Sequence, residues 1–271
     1  MARIAFAATA PFGADVLERA ATRHEVVGLL TRPDRPRGRG RRVGPAPAKE
    51  TAERIGIPVL QPERLDEHVD LAADTVVVAA YGVLIPAALL ERGLWLNVHP
   101  SLLPRWRGAA PVERSLLAGD RETGVTIHRT TPELDAGPIA AQRGFPIGPE
   151  DDAGSVYARA AELAVELLDE VLPYPTFRPQ PGEGATYAER LTASDRELDW
   201  TQPPDQLLSR IRALSPHIGA RGDVDGRRLT VWRAQPAGPD AALVADGLEL
   251  LEVQPEGRRR MSGAEYLRGL R

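Results

Sequence analysis

Residues 94–113 read LWLNVHPSLLPRWRGAAPVE, and the fold can be worked out from this stretch. The run begins as an apolar strand and places Asn97 and His99 two residues apart near its end. Side chains at positions i and i+2 of a strand point to the same face, so these two can aim at one point. Pro100 and Pro104 then end the strand and stiffen the turn that follows. We therefore expect a rigid element that presents an amide and an imidazole side by side.

Strands and helices alternate in the part of the chain that precedes this stretch. Residues 3–8 and 25–30 are short apolar runs on either side of a helical pattern over 14–23, which indicates a βαβ unit and a parallel sheet. Residues 75–80 are rich in valine and read as a central strand. The pattern predicts an α/β domain with a Rossmann-like parallel sheet. No G-x-G-x-x-G motif follows the first strand, which disfavours a dinucleotide-binding site.

The last third of the chain has a different character. Proline and glycine crowd residues 173–185, which is typical of a linker. Short strands with glycine-containing turns follow between residues 227 and 253, and a helical pattern ends the chain. This pattern favours a small OB-like β-barrel domain. We predict a catalytic domain over 1–177, a linker over 178–199 and a second domain over 200–271.

Composition excludes several classes of protein. The 271 residues have a formal net charge of −4 and are 42% hydrophobic, which argues against a disordered chain and against a general nucleic-acid coater. There is no cysteine, so thiolate chemistry and disulfides are excluded. No histidine spacing suits a metal site, and no apolar run is long enough to span a membrane. We expect a cytoplasmic monomer without a signal peptide or a bound metal.

A cluster of arginines lies in a glycine- and proline-rich loop between residues 31 and 49. One interpretation is a solvated, mobile loop, which is the common outcome for a run of like charges. The other is a flexible basic segment that becomes ordered on a phosphate backbone. The cluster is Arg32, Arg35, Arg37, Arg39, Arg41 and Arg42, with Asp34 as its one acidic member.

The polar residues of the central stretch suit acyl transfer to an amine. That reaction passes through a tetrahedral carbon with an oxyanion, which needs hydrogen-bond donors where the charge develops. The amide of Asn97 and a protonated His99 are both donors, and a carboxylate behind the imidazole would raise its pKa and orient it. Asp135, in an irregular loop beside Gly137, is the candidate for that carboxylate. The alternatives are that His99 is a hydrogen-bonded core residue and that Asp135 only caps its loop. His128 and Ser101 are weaker candidates.

The combined motifs resemble the folate-dependent formyltransferases. They are Asn-x-His-x-Ser-Leu-Leu-Pro-x-x-x-Gly over 97–108, Gly-Val-Thr-Ile over 124–127 and Leu-Asp-x-Gly over 134–137, and the resemblance covers nearly the whole chain. It implies that Asn97, His99 and Asp135 are the catalytic residues and that 10-formyltetrahydrofolate is the formyl donor. The folate-binding residues that it implies are Tyr81, Gly82, Val83, Leu84, Ser101, Leu102, Leu103 and Pro104.

Within that family the chain is most similar to the branch that acts on methionyl initiator tRNA. The run Arg-Trp-Arg-Gly-Ala-Ala-Pro over 105–111 and the arginine loop both look like that branch. The resemblance implies a tRNA-binding role for the OB-like domain and for Arg35, Arg37, Arg39, Arg41 and Arg42.

Three other functions stay open at this point. A sugar-nucleotide amine formyltransferase would use the same trio and donor, and His128-Arg129 has some similarity to that branch. A hydrolase that releases formate to water would differ only in the acceptor. A non-catalytic RNA-binding module is disfavoured, because a binder has no chemical need to keep Asn97, His99 and Asp135 together.

Overall fold

The computed structural model describes residues 1–37, 42–66 and 68–270. They form two compact units with separate hydrophobic cores. The first unit consists of residues 1–109, 124–145 and 157–187, and the second of 110–123, 146–156 and the chain from 188 onward. The second unit therefore includes residues 110–123, 146–156 and 188–199, which all precede the predicted boundary at residue 200. Residues 111–117 belong to it because they form a helix that packs against another helix of this unit.

The elements alternate as expected for an α/β chain followed by a β-rich one. The strands are β1 (Arg3–Ala8), β2 (Glu25–Leu30), β3 (Arg35–Arg37), β4 (Arg42–Gly44), β5 (Val59–Leu60), β6 (Thr75–Ala79), β7 (Leu94–His99), β8 (Arg107–Gly108), β9 (Glu122–Arg129), β10 (Ile139–Pro146), β11 (Tyr187–Ala188), β12 (Ala220–Val224), β13 (Arg227–Pro236), β14 (Val244–Ala245), β15 (Leu248–Pro255) and β16 (Met261–Ser262). The helices are α1 (Pro11–Ala21), α2 (Pro47–Arg54), α3 (Ala87–Leu90), α4 (Pro111–Leu117), α5 (Ala153–Val171), α6 (Pro204–Leu214) and α7 (Gly263–Arg268), and a short 3-10 helix spans Ser194–Arg196.

A seven-stranded sheet with the order β10-β9-β7-β6-β1-β2-β5 lies mostly in the first unit. Strands β5, β2, β1, β6 and β7 run parallel to one another, which confirms the predicted parallel α/β sheet. Strand β9 runs antiparallel to β7, so the sheet is mixed on that side. Added antiparallel strands of this kind are common in sheets of this class.

Small aliphatic side chains fill the core of the first unit. The predicted face of α1, with Val16, Leu17 and Ala20, is completely buried. The strand residues Ile4 and Phe6 belong to the same core. Pro86 is the N-cap residue of the short helix α3. The core thus fixes the parallel strands whose ends carry the polar residues.

The second unit contains an antiparallel sheet with the order β12-β13-β15-β14 and with β16 paired to β15. Register shifts around Arg233 interrupt the pairing of β13 with β15, and such bulges bend a sheet. Leu207 and Ile211 of α6 are buried in the core beneath it. The small β-rich C-terminal domain that the sequence predicted is confirmed.

Two segments without predicted regular structure contain short paired strands. In the arginine loop, for which both interpretations of the sequence expected a flexible segment, β3 and β4 pair antiparallel. In the predicted linker, Arg178 exchanges two backbone hydrogen bonds with Ile139, and β11 pairs with β8. The linker segment therefore packs along the loops that follow β7 and β9.

Candidate active site

The carboxyl end of β7 carries two of the polar side chains that the sequence singled out. Asn97 and His99 lie two residues apart on β7 and face the same side of the sheet. Strands β6 and β9 pair along both edges of β7, so the backbone there is fixed. His99 is only 3% exposed, whereas Asn97 is half-buried. A rigid strand therefore holds a buried imidazole next to a more accessible amide.

Strand β9 places a second histidine directly opposite Asn97. In the register of β7 and β9, Asn97 is paired with His128 and His99 with Thr126. His128 is 1% exposed, and its Nδ1–H donates to the carbonyl oxygen of Arg129 at 3.0 Å. Its Nε2 lies 3.0 Å from Nδ2 of Asn97, and because an amide nitrogen only donates, Nε2 is the acceptor in this contact. His128 thus takes one of the two amide hydrogens of Asn97.

The turn between β9 and β10 carries Asp135. Its φ of +49° lies in the left-handed region that L-residues rarely adopt. Two residues later, a Cβ on Gly137 would lie 1.8 Å from the carbonyl oxygen of Arg129, so only glycine fits there. The Asp135 side chain is 11% exposed. The turn therefore directs this carboxylate inward, toward β7.

The Asp135 carboxylate joins the polar groups into one cluster. Its Oδ1 accepts from Nδ2 of Asn97 at 3.0 Å, and its Oδ2 accepts from the backbone N–H of Gly108 at 2.8 Å. Nδ1 of His99 lies 3.7 Å from Oδ2, and Nε2 of His128 lies 3.6 Å from Oδ1. Burial by itself raises the pKa of Asp135. The two imidazoles and the N–H of Gly108 outweigh burial and lower that pKa to about 2, so the carboxylate is ionised at neutral pH.

Backbone on the other side orients His99. Its Nε2–H donates to the carbonyl oxygen of Trp106 at 2.8 Å, which leaves Nδ1 facing Asp135. Burial lowers the pKa of His99 below its ordinary value of 6.5, and the opposing effects of Asp135 and of the Trp106 carbonyl do not overcome it. Asp135 does raise this pKa, as the sequence predicted, but burial has the larger effect because it disfavours the imidazolium. The resting site combines a neutral imidazole with an ionised carboxylate.

The loop after β7 is braced by its own backbone and by the segment around residue 186. Trp106 has a φ of +64°, and its N–H donates to Oγ1 of Thr186 at 2.9 Å. The N–H of Arg107 donates to the carbonyl oxygen of Thr186 at 2.9 Å. The hydroxyl of Ser101 donates to the carbonyl oxygen of Arg105 at 2.7 Å. These bonds fix the carbonyl that holds His99 and the N–H that holds Asp135.

The residues that the resemblance assigned to folate differ in their exposure. Ser101 and Leu103 are buried, so they shape the loop after β7 and offer no accessible side chain. Tyr81 is also buried, and burial raises its pKa to about 12. Val83 and Leu84 are exposed, with Leu84 at 76%, and they present apolar surface after β6. The other members are the exposed Gly82 and the half-buried Leu102 and Pro104.

The residues predicted to contact tRNA lie in the arginine loop. Arg35 is exposed at the start of β3. Arg37 and Arg42 lie in the paired strands β3 and β4, while Arg39 and Arg41 lie outside the described residues.

Residues 1–37, 42–66 and 68–270 lack both a candidate metal site and a membrane-spanning helix. No group of three or more histidine, aspartate or glutamate side chains in them could hold a metal ion. No helix among the described residues is long and apolar enough to cross a membrane.

Sequence reasoning missed several members of the cluster. His128 was a weak candidate because its strand could face either way, and only the pairing of β9 with β7 brings it to Asn97. The N–H of Gly108 and the carbonyl of Trp106 are backbone groups, which no side-chain motif reports. Gln180, in the predicted linker, donates to the carbonyl oxygens of the Asp135 turn, and nothing in its local sequence indicates this.

Comparison with known proteins identifies two matching family models. Residues 2–172 match the formyl transferase family, and residues 190–271 match the formyl transferase C-terminal domain. A methionyl-tRNA formyltransferase of Methylococcus capsulatus is 40% identical over 295 residues, which cover 98% of this chain and 96% of the relative.

Solved structures show the same architecture. A methionyl-tRNA formyltransferase from Clostridium thermocellum superimposes with a TM-score of 0.65 at 16% identity, over 94% of this chain and 99% of the other. A protein from Mycobacterium tuberculosis described as a likely sugar N-formyltransferase superimposes with a TM-score of 0.63 at 26% identity, over 88% of this chain and 99% of the other.

Proposed function

The chain belongs to the formyl transferase family, and we propose that it transfers a formyl group from 10-formyltetrahydrofolate to the free amino group of methionyl initiator tRNA. The relative named for that activity is 40% identical over 98% of this chain, whereas the likely sugar N-formyltransferase is 26% identical. The single observation that carries the chemistry is the polar cluster of Asn97, His99 and Asp135 at the carboxyl end of β7.

The reaction joins the amine nitrogen to the formyl carbon and breaks the bond from that carbon to the folate nitrogen. In the tetrahedral intermediate the formyl oxygen carries negative charge, and the amine must lose a proton. His99 is neutral in the resting site because burial lowers its pKa. Its Nδ1, which carries no proton in this state, can therefore take up the amine's proton as negative charge develops on the formyl oxygen. The proton then passes to the departing folate nitrogen, so the enzyme is unchanged after the cycle.

Asp135 stabilises the imidazolium that forms in this step. Its carboxylate is ionised, with a pKa of about 2, and its Oδ2 is 3.7 Å from Nδ1 of His99. This distance exceeds that of a hydrogen bond, so the attraction in the resting site is electrostatic. A proton on Nδ1 would complete a charge-assisted bond after a small movement.

Asn97 supplies the donor for the oxyanion. Its Nδ2 hydrogens are directed to Asp135 and to His128 in the resting site. The bond to the ionised carboxylate is the stronger of the two, because charge-assisted hydrogen bonds exceed neutral ones. The hydrogen directed to His128 is therefore the one that the formyl oxygen takes. Loss of one such donor typically slows acyl transfer by about 100- to 1000-fold.

The formyl donor and the tRNA need separate surfaces. We assign the donor's pterin to the apolar segment with Val83 and Leu84, which is exposed at the carboxyl edge of the sheet. We propose that the arginine loop, which includes the exposed Arg35, and the C-terminal domain bind the phosphates of the tRNA. We further propose that residues 1–177 carry catalysis, that 178–199 connect the domains and that the chain is a cytoplasmic monomer.

The direct test is a formylation assay. The purified chain is mixed with 10-formyltetrahydrofolate and charged methionyl initiator tRNA, with uncharged tRNA and an amino-sugar nucleotide as control acceptors. Formyl-methionine formed only on the charged tRNA is the expected result. Formylation of the sugar would place the chain in the other branch. Formate release without an acceptor would indicate a hydrolase, and donor binding without any reaction would indicate a binding role.

A further inference from the structure

Gln180 connects the two loops that hold the catalytic cluster. Its Nε2 donates to the carbonyl oxygen of Asp135 at 2.7 Å and to that of Gly137 at 2.9 Å. Its Oε1 accepts from Nη2 of Arg107 at 2.6 Å and from Nε of Arg107 at 3.2 Å. The amide cannot be reversed, because carbonyls only accept and a guanidinium only donates. All the hydrogen-bonding capacity of this side chain is thus directed at the two loops.

The Asp135 turn needs restraint from outside. Its left-handed φ of +49° is unfavourable for an L-residue, so it persists only where surrounding contacts hold it. The two carbonyl acceptors of Gln180 flank the turn on both sides of Ala136. One amide group therefore fixes the direction in which the Asp135 side chain leaves the backbone.

The other half of the contact reaches the loop after β7. Arg107, which donates to Gln180, lies between Trp106 and Gly108 in the chain. The carbonyl of Trp106 accepts from His99, and the N–H of Gly108 donates to Asp135. Gln180 therefore sets the separation between the backbone that orients His99 and the turn that carries Asp135.

We propose that Gln180 is a positioning residue for formyl transfer, which it supports by holding the Asp135 turn against the loop at 106–108. This inference rests on the proposed function for its kinetic consequence, and on the geometry alone for its structural one. Gln180 contacts no reacting atom, so its loss should reduce the rate of the chemical step and leave substrate binding unchanged.

Two substitutions separate the contacts that Gln180 makes. Gln180→Ala removes all of them. Gln180→Glu keeps the size and an acceptor for Arg107, but it places an oxygen against the carbonyls of Asp135 and Gly137. If the turn is what matters, Gln180→Glu should behave like Gln180→Ala. If only Arg107 needs a partner, Gln180→Glu should behave like the wild-type chain, and the proposal would be overturned. Glu183→Gln, at an exposed position of the same segment, is the matched control.

The kinetic measurement is kcat and KM for charged tRNA with the chain of 271 residues. Misplacing a catalytic group by about 1 Å can cost about 100-fold in rate, so we expect kcat to fall by about 10- to 100-fold in both Gln180 variants. KM should stay within about twofold, because no uniform binding contact is lost. An unchanged kcat in a folded Gln180→Ala chain, or a rise in KM alone, would refute the role.

Amide hydrogen exchange tests the structural half without any activity. Peptides that cover 104–110 and 131–138 should exchange faster in both Gln180 variants than in the wild type, while peptides from β1 and α1 should not change. Unchanged exchange in those two loops would overturn the proposal. If the wild-type chain formylates no acceptor, the proposed function fails, and the exchange result still decides the role of Gln180.

Discussion

Oδ2 of Asp135 lies 3.7 Å from Nδ1 of His99, and the backbone on each side sets this separation. The N–H of Gly108 donates to Oδ2 of Asp135 at 2.8 Å, and Nε2–H of His99 donates to the carbonyl oxygen of Trp106 at 2.8 Å. Protonation of the imidazole would strengthen its attraction to the carboxylate, so we expect the two groups to approach if His99 accepts a proton as proposed.

Replacing Asp135 by asparagine should slow transfer strongly. Asp135→Asn keeps the shape of the side chain but removes the charge that stabilises an imidazolium at His99. We expect kcat to fall by about 100- to 1000-fold, the range typical for loss of one preorganised electrostatic group. The measurement is single-turnover formylation of charged tRNA. Glu133→Gln, an exposed change in the same loop, should leave the rate within about twofold if the effect is specific.

The same carboxylate also stabilises the folded chain. Its pKa is lowered from 3.8 to about 2, so its contribution is present above pH 3.8 and is lost as the pH falls toward 2. The rates of the wild type and of Asp135→Asn are therefore compared without denaturant, at a pH where urea titration shows that both chains are fully folded.

Stability should decrease on mild acidification. Burial lowers the pKa of His24 and of His99 below 6.5, although Asp169 and Asp135 partly oppose these shifts. The unfolded chain therefore binds these protons first, and the free energy of unfolding falls as the pH drops below 6.5. Each histidine contributes a slope of at most about 1.4 kcal/mol per pH unit.

Urea unfolding at pH 7.5 and 5.5 measures this loss. His24→Gln should remove part of the difference between the two pH values, and His68→Gln at an exposed position should not. A stability that is equal at both pH values would show that the imidazoles are not buried in neutral form.

Gly137→Ala should damage both stability and activity. A Cβ at this position would lie 1.8 Å from the carbonyl oxygen of Arg129, which is backbone and cannot rotate away. The turn must shift, and Asp135 must move with it. We expect a loss of about 1–3 kcal/mol in the free energy of unfolding, typical of overpacking, together with a rate loss of about 100-fold.

Gly182→Ala provides the comparison for Gly137. No atom lies within 4 Å of a Cβ added there, and its φ is not in the left-handed region. Thermal unfolding and formylation should be close to wild type for this variant. Equal behaviour of the two glycine variants would contradict the tight packing of the Asp135 turn.

Much of the fold follows from the sequence because its strands are local patterns. The buried runs of β1, β2 and β6 and the i, i+2 spacing of Asn97 and His99 can be read directly. The antiparallel direction of β9 cannot, because a strand's partner is a long-range property. The contact of His128 with Asn97 depends on that direction, so the sequence left it undecided.

Only the part of the site that consists of side chains in recognisable motifs could be predicted from the sequence. Asn97, His99 and Asp135 form a recognisable motif, and the structure brings them together. The direction of the His99 pKa shift was not predictable, because it depends on burial, which a motif does not report. Gln180 was missed because a proline- and glycine-rich composition indicates a linker, whatever contacts its side chains make.

The exposed arginine at the start of β3 should contribute to tRNA affinity. Arg35→Ala removes a positive charge from the loop proposed to meet tRNA phosphates. KM for charged tRNA should rise several-fold while KM for 10-formyltetrahydrofolate and the maximal rate stay the same, because a phosphate contact binds the ground state and the transition state equally. The slope of log affinity against log salt should become shallower by about one unit. Arg64→Ala, another exposed arginine, is the control. A salt dependence that is unchanged in Arg35→Ala, or an equal change in Arg64→Ala, would mean that the loop does not contact the tRNA backbone at this residue.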